Sequence, residues 1–324
     1  PKNSNILGSL PLFHSFGCTV TLWFPVIEGL NLITNPSPLD SKRIAELIEQ
    51  YKIILLLSTP TFLRGYMRRI KAEQLVSLKL VVTGAEKLPK SLSDTFAKKF
   101  GIRPQEGYGL TETSPATNVN LPEPAEVSGL SSISSSRLGT VGNFLPGIAV
   151  KLTDPSNDQP IPINQSGIVW LKGANIFPGY LNNQEKTDEV IVDSWFKTGD
   201  VGHVDPDGFL TIEGRISRFS KIAGEMVPHE TVESAINHAL GLDEETERKV
   251  AVVGVPCEKK GEAIALLSTL AGYAVEQECL DLRYRLLDQG IPSLWCPKVI
   301  ISVKEIPILA SGKLDIKACE LLAK

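Results

Sequence analysis

At 324 residues the chain is long enough for two or three domains rather than one. Its 42% apolar content is that of a globular protein with a sizeable core, and a net charge of −4 with no basic patch gives no support to a nucleic-acid partner. Five scattered cysteines (Cys18, Cys257, Cys279, Cys296 and Cys319) with no CxxC pair argue against a thiolate zinc site and fit a reducing cytoplasm. No signal peptide is visible at Pro1, and apolar runs such as Ile53–Leu57 are too short to span a bilayer.

In chain order, Ser41–Tyr51 is predicted helical, with Ser41 as N-cap and apolar residues at Ile44, Leu47 and Ile48. "KIILLLST" from Lys52 reads as a buried strand, and "PTFLRGYMRRI" from Pro60 as a helix with proline near its start. "LKLVVTGAE" from Leu78 is a second buried strand. "LPKSLSDTFAKKFG" from Leu88 is a helix closed by Gly101, and "RPQEGYG" from Arg103 is a short strand. Continuous apolar strands alternating with helices predict a parallel sheet covered on both faces, with ligands beyond the carboxyl ends of its strands.

From about Leu121 the texture changes. The serine-rich Ser131–Ser136 reads as a flexible loop, and short alternating runs punctuated by Gly, Pro, Asn and Asp predict hairpins. After Arg215, "HETVESAINHAL", "KVAVVGV", "EAIALLST", "LDLRYRLLDQG" and "KVIISVKEIP" predict a mixed α+β unit. The expected architecture is α/β and α+β multidomain: an α/β subdomain over 1–120, a β-rich subdomain over 121–214 and a mobile α+β domain over 215–324.

Five stretches carry candidate chemistry. "YGLTET" at Tyr108–Thr113 places a stacking ring, a close-approach Gly109, a Thr111 hydroxyl for a phosphate oxygen and a hard oxygen ligand, Glu112, on one turn. Alone it fits a polar loop with a helix-capping threonine better. "WFKTGD" ends in Asp200, suited to a ribose diol or to a β-turn. "GRISRFSKIAGEMVP" from Gly214 offers Arg215 as a planar fork for phosphate or ribose oxygens; Arg218 and Lys221 read as solvated charges, and Gly224 permits a tight turn or close passage of a ligand. "ASGKLD" offers Lys313 to neutralise charge at a phosphate. "PLFHSFG" sets His14 between aromatics, where a core position is the ordinary reading.

In order, "PLFHSFG", "GAEKL", "EGYGLTET", "GYL", "WFKTGD", "GRISRFSKIAGEMV" and "SGK" resemble the core motifs of the adenylate-forming superfamily of acyl-CoA synthetases, luciferases and peptide-synthetase adenylation domains. "RFSKIAGEMV" most resembles the branch of acyl-acyl-carrier-protein synthetases, including the synthetase part of 2-acylglycerophosphoethanolamine acyltransferase. The resemblance implies ATP and Mg2+ as cofactors, AMP and pyrophosphate as products, and activation of a long-chain fatty acid as acyl-adenylate. The acceptor it implies is the phosphopantetheine thiol of acyl carrier protein, with CoA as the alternative. A catalytically degenerate nucleotide- or carrier-binding module is the alternative from another class.

By resemblance, the turn with Gly109 faces ATP: Tyr108 stacks on adenine, Thr111 touches the α-phosphate and Glu112 holds Mg2+. Gly84, Ala85 and Glu86 line the adenine and acyl pocket, Asp200 and Arg215 bind ribose, and Lys313 stabilises the α-phosphate. Lys221 and Gly224 enter with the thiol tunnel, His14 sits at the aromatic motif that gates the acyl pocket or thiol tunnel, and Ser217 stands where the family places a hinge residue, usually Asp or Lys. The family's Ser/Thr/Gly-rich phosphate loop, upstream of "PLFH", has no counterpart. The sequence is therefore expected to be about the C-terminal three-fifths of a longer cytoplasmic protein, inactive alone, with any membrane association residing in parts outside it.

Overall fold

The computed structural model describes residues 3–122, 134–242, 248–270, 276–308 and 314–323. The chain divides into two compact units, residues 1–198 with 202–212, and residues 199–201 with 213–324.

In the first unit, β1 (Asn5–Gly8), β2 (Asn31–Thr34), β3 (Leu55–Ser58), β4 (Leu80–Thr83) and β5 (Gln105–Tyr108) form a parallel sheet in the order β2-β1-β3-β4-β5. This is a doubly wound order, and it reverses between β1 and β3. Helices fill the crossovers because their apolar stripes need the sheet. Ile44, Leu47 and Ile48 of Ser41–Tyr51, Leu63 and Tyr66 of Pro60–Arg69, and Phe96 of Lys90–Phe100 are buried against Leu7, Leu56 and Val81. Each fully buried side chain of this size contributes roughly 1.5–3 kcal/mol. Gly101 closes its helix at φ +73, as the sequence predicts.

Three features depart from the sequence reading. The cap of Ser41–Tyr51 is Asp40, whose carboxylate accepts from the Arg43 N–H at 3.1 Å; Ser41 is the first helical residue and is buried. The sheet is not purely parallel: β6 (Asn118–Val119) and β7 (Asn143–Phe144) extend it antiparallel from β5. His14 fills no core position. It is exposed, and its Nδ1 accepts from the Phe16 N–H at 3.2 Å, capping the short turn Ser15–Gly17.

A second, antiparallel sheet contains β8 (Ala149–Thr153), β9 (Pro160–Ile161), β10 (Gly167–Lys172), β11 (Ile191–Val192), β12 (Trp195–Val204) and β13 (Leu210–Arg215). Its core of Leu152, Val169, Leu171, Val204 and Leu210 also takes in the half-buried Tyr108.

The second unit opens on a hairpin, β14 (Phe219–Ile222) and β15 (Glu225–Pro228). Its two-residue loop, Ala223 and Gly224, has φ of +52 and +90, the mirror-image turn that suits strand twist. β16 (Val250–Cys257) and β17 (Gly261–Ser268) pair antiparallel, and β18 (Val299–Ser302) runs parallel to β17. Both faces of β16 and β17 are covered. Val250, Val252, Ile264 and Leu266 meet Val232 and Ile236 of the helix His229–Leu240, while Ala251, Val253, Ala265 and Leu267 meet Ile306 and Cys319.

Arg218 is not the solvated charge its polar neighbours suggest. It is 5% exposed and makes a 2.6 Å ion pair with Glu233, itself 5% exposed, and its Nη1 donates to the Val252 carbonyl at 3.0 Å. Glu233 in turn accepts from the Val252 N–H at 2.7 Å and from Arg248 at 3.1 Å. Beside this network His229, 3% exposed, contacts Ser220 Oγ through Nε2 at 2.9 Å.

Burial, reinforced by the Arg218 charge, pushes the His229 imidazole down to about 3. The folded state therefore keeps it neutral where the unfolded chain, with an ordinary value near 6.5, takes up a proton. Its contribution is whole above about pH 6.5 and is lost progressively as pH falls toward 3. His229→Gln should flatten the pH dependence of the second unit's urea midpoint between pH 7 and 5; an unchanged slope would show that another group governs it.

Candidate active site

The carboxyl ends of β1, β3, β4 and β5 bring four loops of the first unit together. Ser15 Oγ, after β1, lies 3.2 Å from Thr111 Oγ1, after β5 and 96 residues away in sequence. The Phe16 ring lies beside Gly84, 3.5 Å from where a Cβ on that residue would stand. Ala85 follows at φ +67, a left-handed conformation that a non-glycine residue holds only at a cost in strain. Glu86 turns back to the helix that follows β3: its Oε2 accepts from Thr61 Oγ1 at 2.7 Å and the Thr61 N–H at 3.3 Å, a carboxylate set against a helix N-terminus.

Gly109 is required by its neighbours. A Cβ there would fall 1.9 Å from the Pro115 carbonyl oxygen, so the turn back from Tyr108 leaves no room for a side chain. Thr113 Oγ1 then ties the turn to both the N–H and the carbonyl of Leu110. Thr111 is exposed and Glu112 half-buried at its surface.

Several residues that organise this turn escape the sequence reading. Asn175 Nδ2 donates to the carbonyls of Thr113 and Ala116 at 2.8 and 3.0 Å, clamping the turn from outside. The Phe177 N–H donates to the Glu112 carbonyl at 2.9 Å, and Tyr180 OH donates to Glu112 Oε1 at 2.8 Å. "GYL" at Gly179–Leu181 was the only signal for this loop. Under the Gly84–Leu88 segment, Glu106 of β5 accepts from the Leu88 N–H at 3.0 Å, and burial pushes its carboxyl up to about 7.

The donor set at Glu112 fits a Mg2+ ion that arrives with phosphates. Oε1 is taken by Tyr180, and Oε2 has no hydrogen-bond partner among the described residues. No group of three or more His, Cys, Asp or Glu among the described residues could hold a metal alone. Mg2+ keeps several waters and needs only one or two carboxylates beside substrate phosphates.

The remaining candidates belong to the second unit. Asp200, 3% exposed, accepts from Arg215 Nε at 2.5 Å. Lys221 is exposed on β14, where its backbone N–H donates to Glu262 at 2.6 Å, and Gly224 sits at the hairpin tip. Ser217 lies in the single turn Ile216–Arg218. Lys313 lies outside the described residues.

The family described as AMP-binding enzyme matches residues 1–181, and its C-terminal domain matches residues 246–313. A probable 4-coumarate–CoA ligase 2 of Dictyostelium discoideum is 31% identical over 97% of this chain and 54% of its own. A long-chain-fatty-acid–CoA ligase of Bacillus subtilis is 28% identical over 95% and 52%. The chain thus spans about half the length of these curated relatives. Among solved structures, ATP-bound MatB from Rhodopseudomonas palustris superposes with a TM-score of 0.77 at 24% identity, over 98% of this chain and 60% of its own. The Bacillus subtilis o-succinylbenzoate CoA synthetase, in complex with its acyl-adenylate intermediate, gives 0.79 at 22%, over 99% and 61%. At those identities the two establish the fold.

Proposed function

The chain belongs to the AMP-binding enzyme family, and from that membership we propose that its parent protein is an acid–thiol ligase that activates a fatty acid as acyl-adenylate and passes the acyl group to CoA. The observation that carries this reading is the junction of Ser15 with Thr111 beside Glu112, where hydroxyls and a carboxylate held through one oxygen meet at the strand ends. CoA is preferred to acyl carrier protein as acceptor because the two relatives described above are CoA ligases.

The reaction needs no strong base. A carboxylate is already a nucleophile; its oxygen attacks the α-phosphorus of ATP, the bond to the β-phosphate oxygen breaks, and pyrophosphate leaves. In the second half-reaction a thiol, losing its proton, attacks the activated carbonyl and AMP leaves. In this reading the Thr111 hydroxyl donates to an α-phosphate oxygen, and Gly109 lets the backbone come close to the nucleotide. Tyr108 and the backbone of Gly84–Glu86 bound the adenine side, and the Asp200 carboxylate, oriented by Arg215, accepts from the ribose hydroxyls. His14, exposed at the end of β1, stands at the acyl entrance. Mg2+ held at Glu112 would offset the charge developing on the phosphates. The second unit would turn about the segment near Ser217 between the half-reactions, presenting Lys221 and the Gly224 hairpin tip to the thiol.

The test uses the full-length parent with MgATP, a long-chain fatty acid and either CoA or holo-acyl carrier protein, following thioester by mass. Product on CoA is the expected result. Product on carrier protein alone would replace the acceptor, the outcome to which "RFSKIAGEMV" points. AMP release that depends on the fatty acid, with thioester on neither acceptor, would leave adenylation standing and remove both thiol partners; no AMP release with a fatty acid would remove the substrate class.

A further inference from the structure

Glu112 could meet a metal in many orientations if its side chain were free, because a glutamate has three rotatable bonds and loses substantial entropy on being fixed. It is not free. The loop Asn175–Tyr180 holds it at two points: the Phe177 N–H takes its main-chain carbonyl at 2.9 Å, and the Tyr180 phenol takes Oε1 at 2.8 Å. The phenol is itself held. The Phe177 ring stands edge-on to the Tyr180 ring at 4.9 Å and to Phe196 at 5.5 Å. Thr187 Oγ1 accepts from the Tyr180 N–H at 2.9 Å while donating to the Asn183 carbonyl at 2.9 Å. Gly179 permits this pinning, since a Cβ there would come within 2.5 Å of Thr187. Asn175 secures the far side of the same turn through Thr113 and Ala116.

We propose that Tyr180 is a positioning residue for the metal carboxylate, its hydroxyl fixing Glu112 so that Oε2 faces outward as a preset ligand. The inference rests on the proposed function, in which Glu112 receives a divalent cation with a nucleotide. A phenol donating to one carboxylate oxygen removes that oxygen from competition and sets the direction of the other. Hydrogen bonds of this outer kind, when deleted, typically cost 10–100-fold in metal affinity.

The experiment is Mn2+ binding to the full-length protein in the presence of a non-hydrolysable ATP analogue, read from the loss of the free Mn2+ paramagnetic signal. Wild type, Tyr180→Phe and Glu112→Gln are compared. Tyr180→Phe keeps the ring against Phe177 and deletes only the hydroxyl. It should weaken Mn2+ binding about 10-fold while the melting temperature and nucleotide binding without metal stay at wild-type values. Thioester formation from preformed acyl-adenylate should also be unchanged. Mn2+ affinity unmoved in Tyr180→Phe but lost in Glu112→Gln would overturn the role of Tyr180 and leave the proposed function standing. A wild-type protein that binds no Mn2+ with the nucleotide would overturn both.

Discussion

Glu233→Ala is expected to destabilise the second unit by about 3–5 kcal/mol, the range for breaking a buried pair from one side. The substitution leaves the Arg218 guanidinium, 5% exposed, without its 2.6 Å partner. It also removes the acceptor of the Val252 N–H in the middle of β16. Arg248 and Glu230 do not compensate: the first is a second cation, and the second approaches Arg218 Nε only at 3.9 Å with half its side chain in solvent. The same physics gives an opposite result for the paired change. Replacing both partners by apolar residues of similar volume, as in Arg218→Met with Glu233→Leu, should recover the part of the loss that comes from the orphaned charge, leaving the cost of the unpaired Val252 N–H and carbonyl. Native-state hydrogen exchange at the β16 and β17 amides in the full-length protein isolates the second unit from the rest. A loss below about 1 kcal/mol for Glu233→Ala would mean that water reaches Arg218 and that the network is not closed.

The same network marks where the sequence stopped being legible. Arg218 stands between Ser217 and Phe219, and its partner Glu233 is 15 residues on, inside a helix whose inward face is set by Val232 and Ile236. No local pattern says that a glutamate beside those residues points inward to meet the edge of β16. By contrast, β3 and β4 are legible because both faces are covered, so nearly every residue is apolar, and the helix before Gly101 ends where a left-handed residue is needed. The two-residue β6 and β7 carry no period at all and exist only because β5 offers an edge. Asp40 and Ser41 are both good caps, and only the reach to the Arg43 N–H decides between them. At the site, the loops were legible as motifs on one sheet edge. Their contacts were not: Tyr180 and Glu112 are 68 residues apart, and a motif in sequence does not say which oxygen it holds.

Lys313→Ala in the full-length protein should slow acyl-adenylate formation by about 10²–10³ while leaving thioester formation from preformed acyl-adenylate within a few-fold of wild type. The expectation follows from charge. The strand-end loops of the first unit bring Glu86 and Glu112 together with neutral hydroxyls and amides, and none of the hydrogen-bonding groups described there is cationic. Lys87, on the same Gly84–Leu88 segment, is exposed and its charge acts on the Glu106 carboxyl, so attack of one anion, a carboxylate, on another, a triphosphate, needs further positive charge as negative charge shifts onto the phosphate oxygens. A divalent ion at Glu112 supplies part of it. In the proposed function a lysine on the "SGK" segment supplies the rest during adenylation. Expulsion of AMP in the second step also returns negative charge to the phosphate, so the second step is spared because, in that reading, the turn between the half-reactions withdraws the lysine. Single-turnover measurements of each half-reaction separate the two steps. Equal loss in both would place Lys313 in the folding of the C-terminal unit or in nucleotide binding common to the two steps. A normal adenylation rate would require the compensating cation to be sought elsewhere in the parent protein.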